Sequence, residues 1–233
     1  TLDKDFFENA RRKLDKKKPK EKPFVPKPYQ KNAITLAHKH FVKENNSRGK
    51  LIFPCGSGKS LTGFWMMEKL KANSTLVAVP SLSLVKQTLE VYLKQVVAKN
   101  KTVKWLCICS DEGIGKSDDI VTHTRDLPVP CTTDPDYIKK WLKDNKNENI
   151  IIFTTYQSGR LIAEASKSLK FTFDLGIYDE AHKTVGKNEN LFSYLLFEQN
   201  ISVKHTILNI IIKLFTSVRS FFFCSQNCSQ TRL

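Results

Sequence analysis

Short apolar segments alternate with amphipathic segments along most of this 233-residue chain. This alternation restricts the fold more than any other feature. Short strands that are buried on both faces are apolar throughout, and the amphipathic segments between them supply crossover helices. The pattern predicts an α/β fold, with a mostly parallel sheet that has helices on both faces and binds ligands at the carboxyl ends of its strands. Predicted strands lie at 50–54, 75–79, 103–109, 149–154 and 173–178, and predicted helices at 59–71, 82–98, 135–144 and 157–168, after an earlier helix that begins at Pro28.

A glycine-rich loop, FPCGSGKS at residues 53–60, joins the first predicted strand to the helix at 59–71. A phosphate-binding loop needs such a strand, glycines that turn backbone N–H groups inward, and a helix whose N-terminus faces the anion. Lys59 would reach the outer phosphates of a nucleotide, and the Ser60 hydroxyl would bind Mg²⁺. Phe53 stands where the strict pattern has glycine, and the alternative is a tight turn with an exposed lysine. The residues predicted to bind the nucleotide in this loop are Gly56, Ser57, Gly58, Lys59 and Ser60.

An acidic pair, Asp179 and Glu180, directly follows the last apolar strand in the sequence FDLGIYDEAHK. Nucleotide hydrolysis needs one carboxylate beside Mg²⁺ and a second that orients or deprotonates the attacking water. Adjacent residues at a strand end point to different sides, so the two carboxylates can divide these tasks. Together with a glycine loop about 120 residues upstream, the pair predicts a metal ligand at Asp179 and catalytic roles for Lys59, Asp179 and Glu180.

The positive charge is concentrated near the start of the chain. The formal net charge is +15, and residues 1–50 contain 15 Lys/Arg against 6 Asp/Glu, a net of +9. The segment 16–28 is rich in lysine and proline and favours an extended linker. A basic arm beside a nearly neutral domain indicates a nucleic-acid partner, although a solvated tail has the same composition. The polar N-terminus has no secretory signal, so we expect a cytoplasmic protein without a membrane segment.

At these motifs the chain resembles superfamily-two helicases, the DEAD/DEAH-box translocases. In that superfamily the leading position of the glycine loop is often not glycine, which accommodates Phe53. The resemblance implies a single RecA-like domain that binds ATP and Mg²⁺. It also implies that Gln30 reads adenine and that His182 couples ATP to the nucleic-acid side.

Two further segments resemble superfamily motifs that contact the nucleic-acid backbone. They are VAVPSLSLVKQT at 77–88 and IIFTTYQS at 151–158. Serine and threonine at strand ends also commonly cap helices, so the joint order of the motifs carries the resemblance rather than either motif alone. The nucleic-acid contacts that the resemblance implies are Pro80, Ser81, Lys86, Gln87, Thr155 and Tyr156.

The most similar subgroup is the helicase portion of restriction-modification enzymes, of the type III restriction-subunit kind. The segments 109–142 and 191–205 resemble an insertion and a continuation found in that group. This implies DNA rather than RNA as the polymer, and a second motor domain or a nuclease or methyltransferase module as a partner. The predicted organisation is a basic arm at 1–27, a RecA-like ATP-binding domain at 28–205 and a divergent or truncated tail at 206–233.

The tail departs from the family pattern after His205. The expected Ser/Thr-Ala-Thr motif is missing and residues 206–233 contain no acidic side chain, which indicates a shifted reading frame, a truncation or divergence. Because a second motor domain supplies an arginine finger in this superfamily, we expect these 233 residues to bind Mg-ATP but to hydrolyse it slowly and not to unwind alone. Two alternatives are a non-catalytic ATP- or DNA-binding module and a small-molecule kinase with the same loop.

Overall fold

The computed structural model describes residues 22–54, 56–110, 124, 127–180, 193–211 and 222–225. The first part of the predicted basic arm, most of the segment between 110 and 127, and His182 lie outside the described residues.

Strands and helices alternate through the described part of the chain, as the hydrophobic pattern predicts. The strands are β1 (Arg48–Phe53), β2 (Ser74–Val79), β3 (Lys104–Ile108), β4 (Ile150–Thr155), β5 (Thr172–Tyr178), β6 (Ser202–Ile211) and β7 (Phe222–Ser225). The helices are α1 (Pro28–His38), α2 (Lys59–Leu70), α3 (Leu82–Ala98), α4 (Pro135–Asp144) and α5 (Gly159–Ser168). A π-helical turn follows α1 at Lys39–Lys43, and a short 3₁₀ helix lies at Tyr194–Leu196.

The strands form one sheet in the order β3-β4-β2-β5-β6-β1-β7. The first six in this order pair in parallel, and β7 pairs antiparallel with β1 at the edge. The predicted α/β fold with a mostly parallel sheet is confirmed. Because the paired strands run in the same direction, the segments that follow β1, β2, β4 and β5 leave the sheet at the same edge.

Alternate residues of each central strand face opposite layers of core. In β2, Val77 packs in a cluster with residues of α1, α2 and α3, whereas Leu76 packs in a second cluster with residues of α4 and α5. This alternation follows from the two-residue period of a strand. Both faces are apolar because helices cover both, as the continuous apolar segments of the sequence predict.

The helix starts have local causes that can be read in the sequence. Asp134 caps α4 by accepting a hydrogen bond from the Asp136 N–H at 2.9 Å, and proline occupies the first turn of α1 and of α4. The one clear shift is α5, which begins at Gly159 rather than at 157. A Cβ atom at Gly159 would lie 2.5 Å from Leu195 Cδ1. The start of α5 therefore packs directly against the 3₁₀ helix at Tyr194–Leu196.

The strand β6 begins at Ser202 and continues across residue 205, where the sequence analysis ends the ATP-binding domain. It lies inside the sheet, between β5 and β1. The segment after residue 205 therefore contributes the rest of β6 and all of β7 to the paired sheet. This placement brings part of that segment beside β1, the strand that leads into the glycine loop.

Candidate nucleotide-binding site

The glycine loop follows β1 at the carboxyl edge of the sheet. Gly56 and Gly58 both have positive φ, 71° and 78°, a conformation that L-residues other than glycine rarely adopt. A Cβ atom at Gly56 would have open space, whereas one at Gly58 would lie 2.8 Å from Gln30 Nε2. Glycine is therefore required at the first position by the backbone alone, and at the second by the backbone and by a close neighbour.

The helix α2 begins directly after the loop and opens its N-terminus toward it. Gly58 is the N-cap residue and has no side chain to satisfy the first N–H groups of the helix. Lys59 and Ser60 occupy the first turn and are half-buried. Uncapped N–H groups at a helix N-terminus, with the positive end of the helix dipole, attract an anion. This local geometry fits a phosphate group.

The N-terminal segment of α1 holds the loop from below. The Tyr29 hydroxyl donates to the Ser57 carbonyl at 2.9 Å, and Gln30 Nε2 donates to the carbonyls of Ser57 at 3.1 Å and Gly58 at 3.4 Å. Gln30 Oε1 accepts from the Lys27 N–H at 2.9 Å, so the 3% exposed side chain uses both ends of its amide. In this structure Gln30 positions the loop, and its adenine-reading role remains a prediction.

Phe53 is fully buried at the end of β1, and its ring meets the Tyr29 ring edge-on with 5.8 Å between centroids. The residue that departs from the strict glycine pattern is therefore a core residue beneath the loop. The same Tyr29 side chain contacts both the strand end and the loop carbonyl. Strand, loop and α1 thus form one packed unit.

The acidic pair follows β5 at the same edge of the sheet. Asp179 is 7% exposed and Glu180 is 8% exposed. Glu180 has φ of 54°, a left-handed conformation that costs about 1–2 kcal/mol for a non-glycine residue. Its backbone N–H donates to Asp179 Oδ1 at 3.1 Å. Such strain is concentrated at functional sites, where the surrounding structure holds it in place.

The Asp179 carboxylate has a raised pKa. Burial is the largest cause and the charge of Glu180 adds to it, whereas the charge of Lys59 opposes the shift. The interaction with Lys59 places the ammonium of the glycine loop within electrostatic reach of the predicted metal ligand. Lys59 and Asp179, 120 residues apart in the sequence, thus lie at the same edge of the sheet.

Tyr156 links two of the predicted motifs inside the protein. It is 1% exposed, and its hydroxyl donates to the Asp179 carbonyl at 2.8 Å. Its backbone N–H donates to the Val79 carbonyl at the end of β2 at 3.0 Å. The segment after β4 is thus tied to the residues that precede α3 and to the acidic pair. Its buried position makes Tyr156 an internal link rather than a surface contact in this structure.

The other predicted nucleic-acid residues divide by exposure. Thr155 is buried, and its hydroxyl oxygen accepts from the Ser158 N–H at 3.3 Å. Ser81 is half-buried and caps α3 by accepting from the Leu84 N–H at 3.4 Å, as the capping alternative predicts. The remaining members lie at least partly at the surface beside the start of α3: Pro80, Lys86 and Gln87.

Asn209 in β6 is a neighbour of the acidic pair that the sequence analysis missed. Hydrogen bonding from its side chain lowers the pKa of Asp179 and so opposes the rise caused by burial. The sequence contained one signal, a polar residue inside the apolar segment TILNIII. That signal could not be assigned without the pairing of β6 beside β5.

The residues that the structure describes contain neither a metal cluster nor a membrane-spanning helix. No group of three or more His, Cys, Asp or Glu side chains in these ranges has the arrangement of a metal centre. No helix within the same ranges combines the length and apolar character needed to cross a membrane.

Comparison with known proteins identifies the family. The family described as "Type III restriction enzyme, res subunit" matches residues 23–216. The chain belongs to this family. It therefore contains a helicase-type ATP-binding domain, and its enzyme class by family is an ATP-dependent helicase or NTPase. The predicted relation to superfamily-two helicases of the restriction-subunit type is confirmed.

The individual relatives are much longer than this chain. The chain is 28% identical over 162 residues to "Probable helicase A859L" of African swine fever virus (isolate Tick/Malawi/Lil 20-1/1983), a match that covers 69% of this chain and 16% of the relative. The same protein from strain Badajoz 1971 Vero-adapted is also 28% identical over 162 residues, with the same coverage. The chain thus spans about a sixth of the length of these curated relatives.

Two solved structures of restriction-modification enzymes have a similar fold. "ATP-dependent Type ISP restriction-modification enzyme LlaBIII bound to DNA" aligns with a TM-score of 0.67 at 28% identity, over 81% of this chain and 13% of that chain. A nuclease-deletion mutant of the Type ISP enzyme LlaGI, in complex with a DNA substrate mimic, aligns with a TM-score of 0.62 at 26% identity, over 81% of this chain and 18% of that chain. The predicted RecA-like helicase fold is confirmed.

Proposed function

We propose that this chain is the ATP-binding motor domain of a DNA translocase, in which Mg-ATP binding at the glycine loop is coupled to DNA binding beside the start of α3. The observation that carries the proposal is that the glycine loop after β1 and the buried pair Asp179 and Glu180 after β5 lie at the same edge of the sheet. A helix N-terminus that attracts phosphate, at the same edge as a buried carboxylate that can bind Mg²⁺, is the arrangement that a metal-nucleotide pair requires.

The residues at this edge fit ATP and Mg²⁺. The positive φ values at Gly56 and Gly58 turn the loop backbone toward an anion, and Ser60 and Asp179 offer the oxygen ligands that Mg²⁺ prefers. When bound, Mg²⁺ neutralises phosphate charge during transfer. In our proposal Lys59 binds the outer phosphates, Glu180 orients or deprotonates the attacking water, and Gln30 keeps the loop in its binding shape.

DNA is proposed as the polymer because both similar solved structures are of DNA-bound restriction-modification enzymes. The half-buried Lys86 and the exposed Gln87 at the start of α3 offer side chains for phosphate oxygens. Tyr156 then provides a route for coupling, since it contacts the acidic pair through its hydroxyl and the end of β2 through its backbone. A second motor domain and an attached nuclease or methyltransferase module remain proposals that these residues do not test.

Nucleotide binding is tested with the full chain by measuring the affinity for Mg-ATP. We expect Lys59→Ala and Asp179→Asn to weaken binding at least about tenfold, because each removes a charge that acts on the nucleotide or its metal. Lys69→Ala is the matched control, since Lys69 lies exposed in the last turn of the same helix. Equal affinities for Mg-ATP in wild type, Lys59→Ala and Lys69→Ala would contradict the proposed site.

Polymer choice and coupling are tested by comparing DNA and RNA of the same sequence. We expect duplex DNA to bind more tightly and to raise the rate of ATP hydrolysis, with a strong salt dependence from phosphate contacts. Lys86→Ala should reduce the salt slope by about one, whereas Lys69→Ala should leave it unchanged. ATP binding without DNA-stimulated hydrolysis would favour the non-catalytic module, and hydrolysis that depends on a small acceptor would favour the kinase.

A further inference from the structure

Asn209 occupies an unusual position for a polar side chain. It is 1% exposed and belongs to β6, an interior strand whose neighbours are β5 and β1. In the register of this sheet Leu208 pairs with Tyr178, so Asn209 lies level with Asp179 on the adjacent strand. On its other side it pairs with Leu51 of the strand that leads into the glycine loop. Asn209 therefore lies between the two motifs of the nucleotide site.

The two ends of the Asn209 amide are used differently. Asp179 lies level with Asn209 on the adjacent strand, and because an ionised carboxylate only accepts, hydrogen bonding between the two side chains uses the amide N–H of Asn209. The carbonyl oxygen, Oδ1, is buried and has no hydrogen-bond partner in the described structure. A buried acceptor without a donor costs free energy, and a bound group that donates a hydrogen bond to Oδ1 would remove this cost.

We propose that Asn209 is a positioning residue of the Mg-ATP site. Its amide N–H holds the Asp179 carboxylate in the orientation needed for the metal, and Oδ1 accepts a hydrogen bond from a donor that arrives with Mg-ATP. Hydrated Mg²⁺ supplies such donors, because this ion keeps several of its waters when proteins bind it. Partners of a metal ligand commonly set metal affinity without touching the metal. The inference rests on the proposed nucleotide site and adds a residue to it.

The test compares the affinity for a fluorescent ATP analogue in Mg²⁺ with its affinity in EDTA. We expect Asn209→Leu, which keeps the size but removes both polar atoms, to lose about 10–100-fold of the affinity measured in Mg²⁺. The affinity in EDTA should not change, because Asn209 acts through Asp179 and the metal. The melting temperature of the nucleotide-free protein measures the loss of the hydrogen bond to Asp179 separately from the metal-dependent loss of affinity.

Thr75→Val is the matched control. Thr75 is also buried in a central strand, and its hydroxyl also has no hydrogen-bond partner in the described structure. It lies near the amino end of β2, away from the edge of the sheet that carries the nucleotide site. Its replacement should leave both affinities unchanged. If Asn209→Leu does not fold, as judged by circular dichroism, Asn209→Ala provides the same comparison.

Three results would count against these ideas in different ways. An unchanged affinity of the Asn209 variants in Mg²⁺, with normal wild-type binding, would overturn the role of Asn209 alone. Equal losses in Mg²⁺ and in EDTA would also overturn it, because they indicate a structural effect. A wild-type chain that binds the analogue no better in Mg²⁺ than in EDTA would overturn the proposed metal-nucleotide site as well.

Discussion

Alanine at Gly58 should destabilise the protein more than alanine at Gly56, and the difference measures how strongly Gln30 holds the loop. Both glycines have positive φ, so each substitution costs about 1–2 kcal/mol in backbone strain. Only at Gly58 does the new Cβ meet a neighbour, Gln30 Nε2 at 2.8 Å. Moving that amide lengthens its bonds to the carbonyls of Ser57 and Gly58, which adds about 1–2 kcal/mol for two neutral hydrogen bonds.

The assay is urea unfolding of the full chain. Wild type, Gly58→Ala, Gln30→Ala and the variant with both substitutions form a double-mutant cycle. Gly56→Ala serves as the matched control, because the change in unfolded-state entropy is the same for both glycines. In a Gln30→Ala background the additional cost of Gly58→Ala should disappear, since no amide remains to be displaced. Equal free energies of unfolding for the two glycine variants, or an additional cost that persists without Gln30, would refute the reasoning.

Three further predictions concern buried contacts around the site. Tyr156→Phe should lower the free energy of unfolding by about 1–2 kcal/mol, because it removes the donor to the Asp179 carbonyl. It should also lower the stimulation of ATP hydrolysis by DNA more than it lowers the affinity for Mg-ATP. Unchanged stimulation by DNA would contradict a coupling role for the contact between Tyr156 and Asp179. Gly159→Ala should cost about 1–3 kcal/mol in thermal unfolding, because its Cβ would lie 2.5 Å from Leu195 Cδ1, and Leu195→Ala in the same chain should recover part of that loss. Burial, with the charge of the adjacent lysine, lowers the pKa of His205 below its ordinary value of 6.5. As the pH falls, the unfolded chain is therefore protonated at His205 before the folded chain, and the free energy of unfolding should decrease from pH 6.5 through the folded pKa. Urea unfolding at several pH values across this range should show this decrease in wild type and a smaller decrease in His205→Asn.

Much of the architecture could be predicted because it is encoded over short stretches of sequence. The apolar segments predict strands through composition, and the caps at Ser81 and Asp134 define helix starts through the nearest N–H groups. The glycine loop likewise depends on backbone conformations that glycine alone adopts easily. The positions of Lys59 and Asp179 at one edge then follow from the parallel direction of the strands.

The tertiary structure decided which buried partners these motifs have. The sequence motifs do not say that the Tyr156 hydroxyl bonds to the Asp179 carbonyl or that the Gln30 amide bonds to the glycine loop. Both bonds depend on contacts between segments distant in sequence. The role of Asn209 depends on the insertion of β6 between β5 and β1, an order that the apolar pattern does not specify. The sequence by itself determined the elements and the loop, because periodicity and backbone preference are local. Strand order and register decided the hydrogen bonds of the site, because those bonds join residues that only the folded sheet brings together.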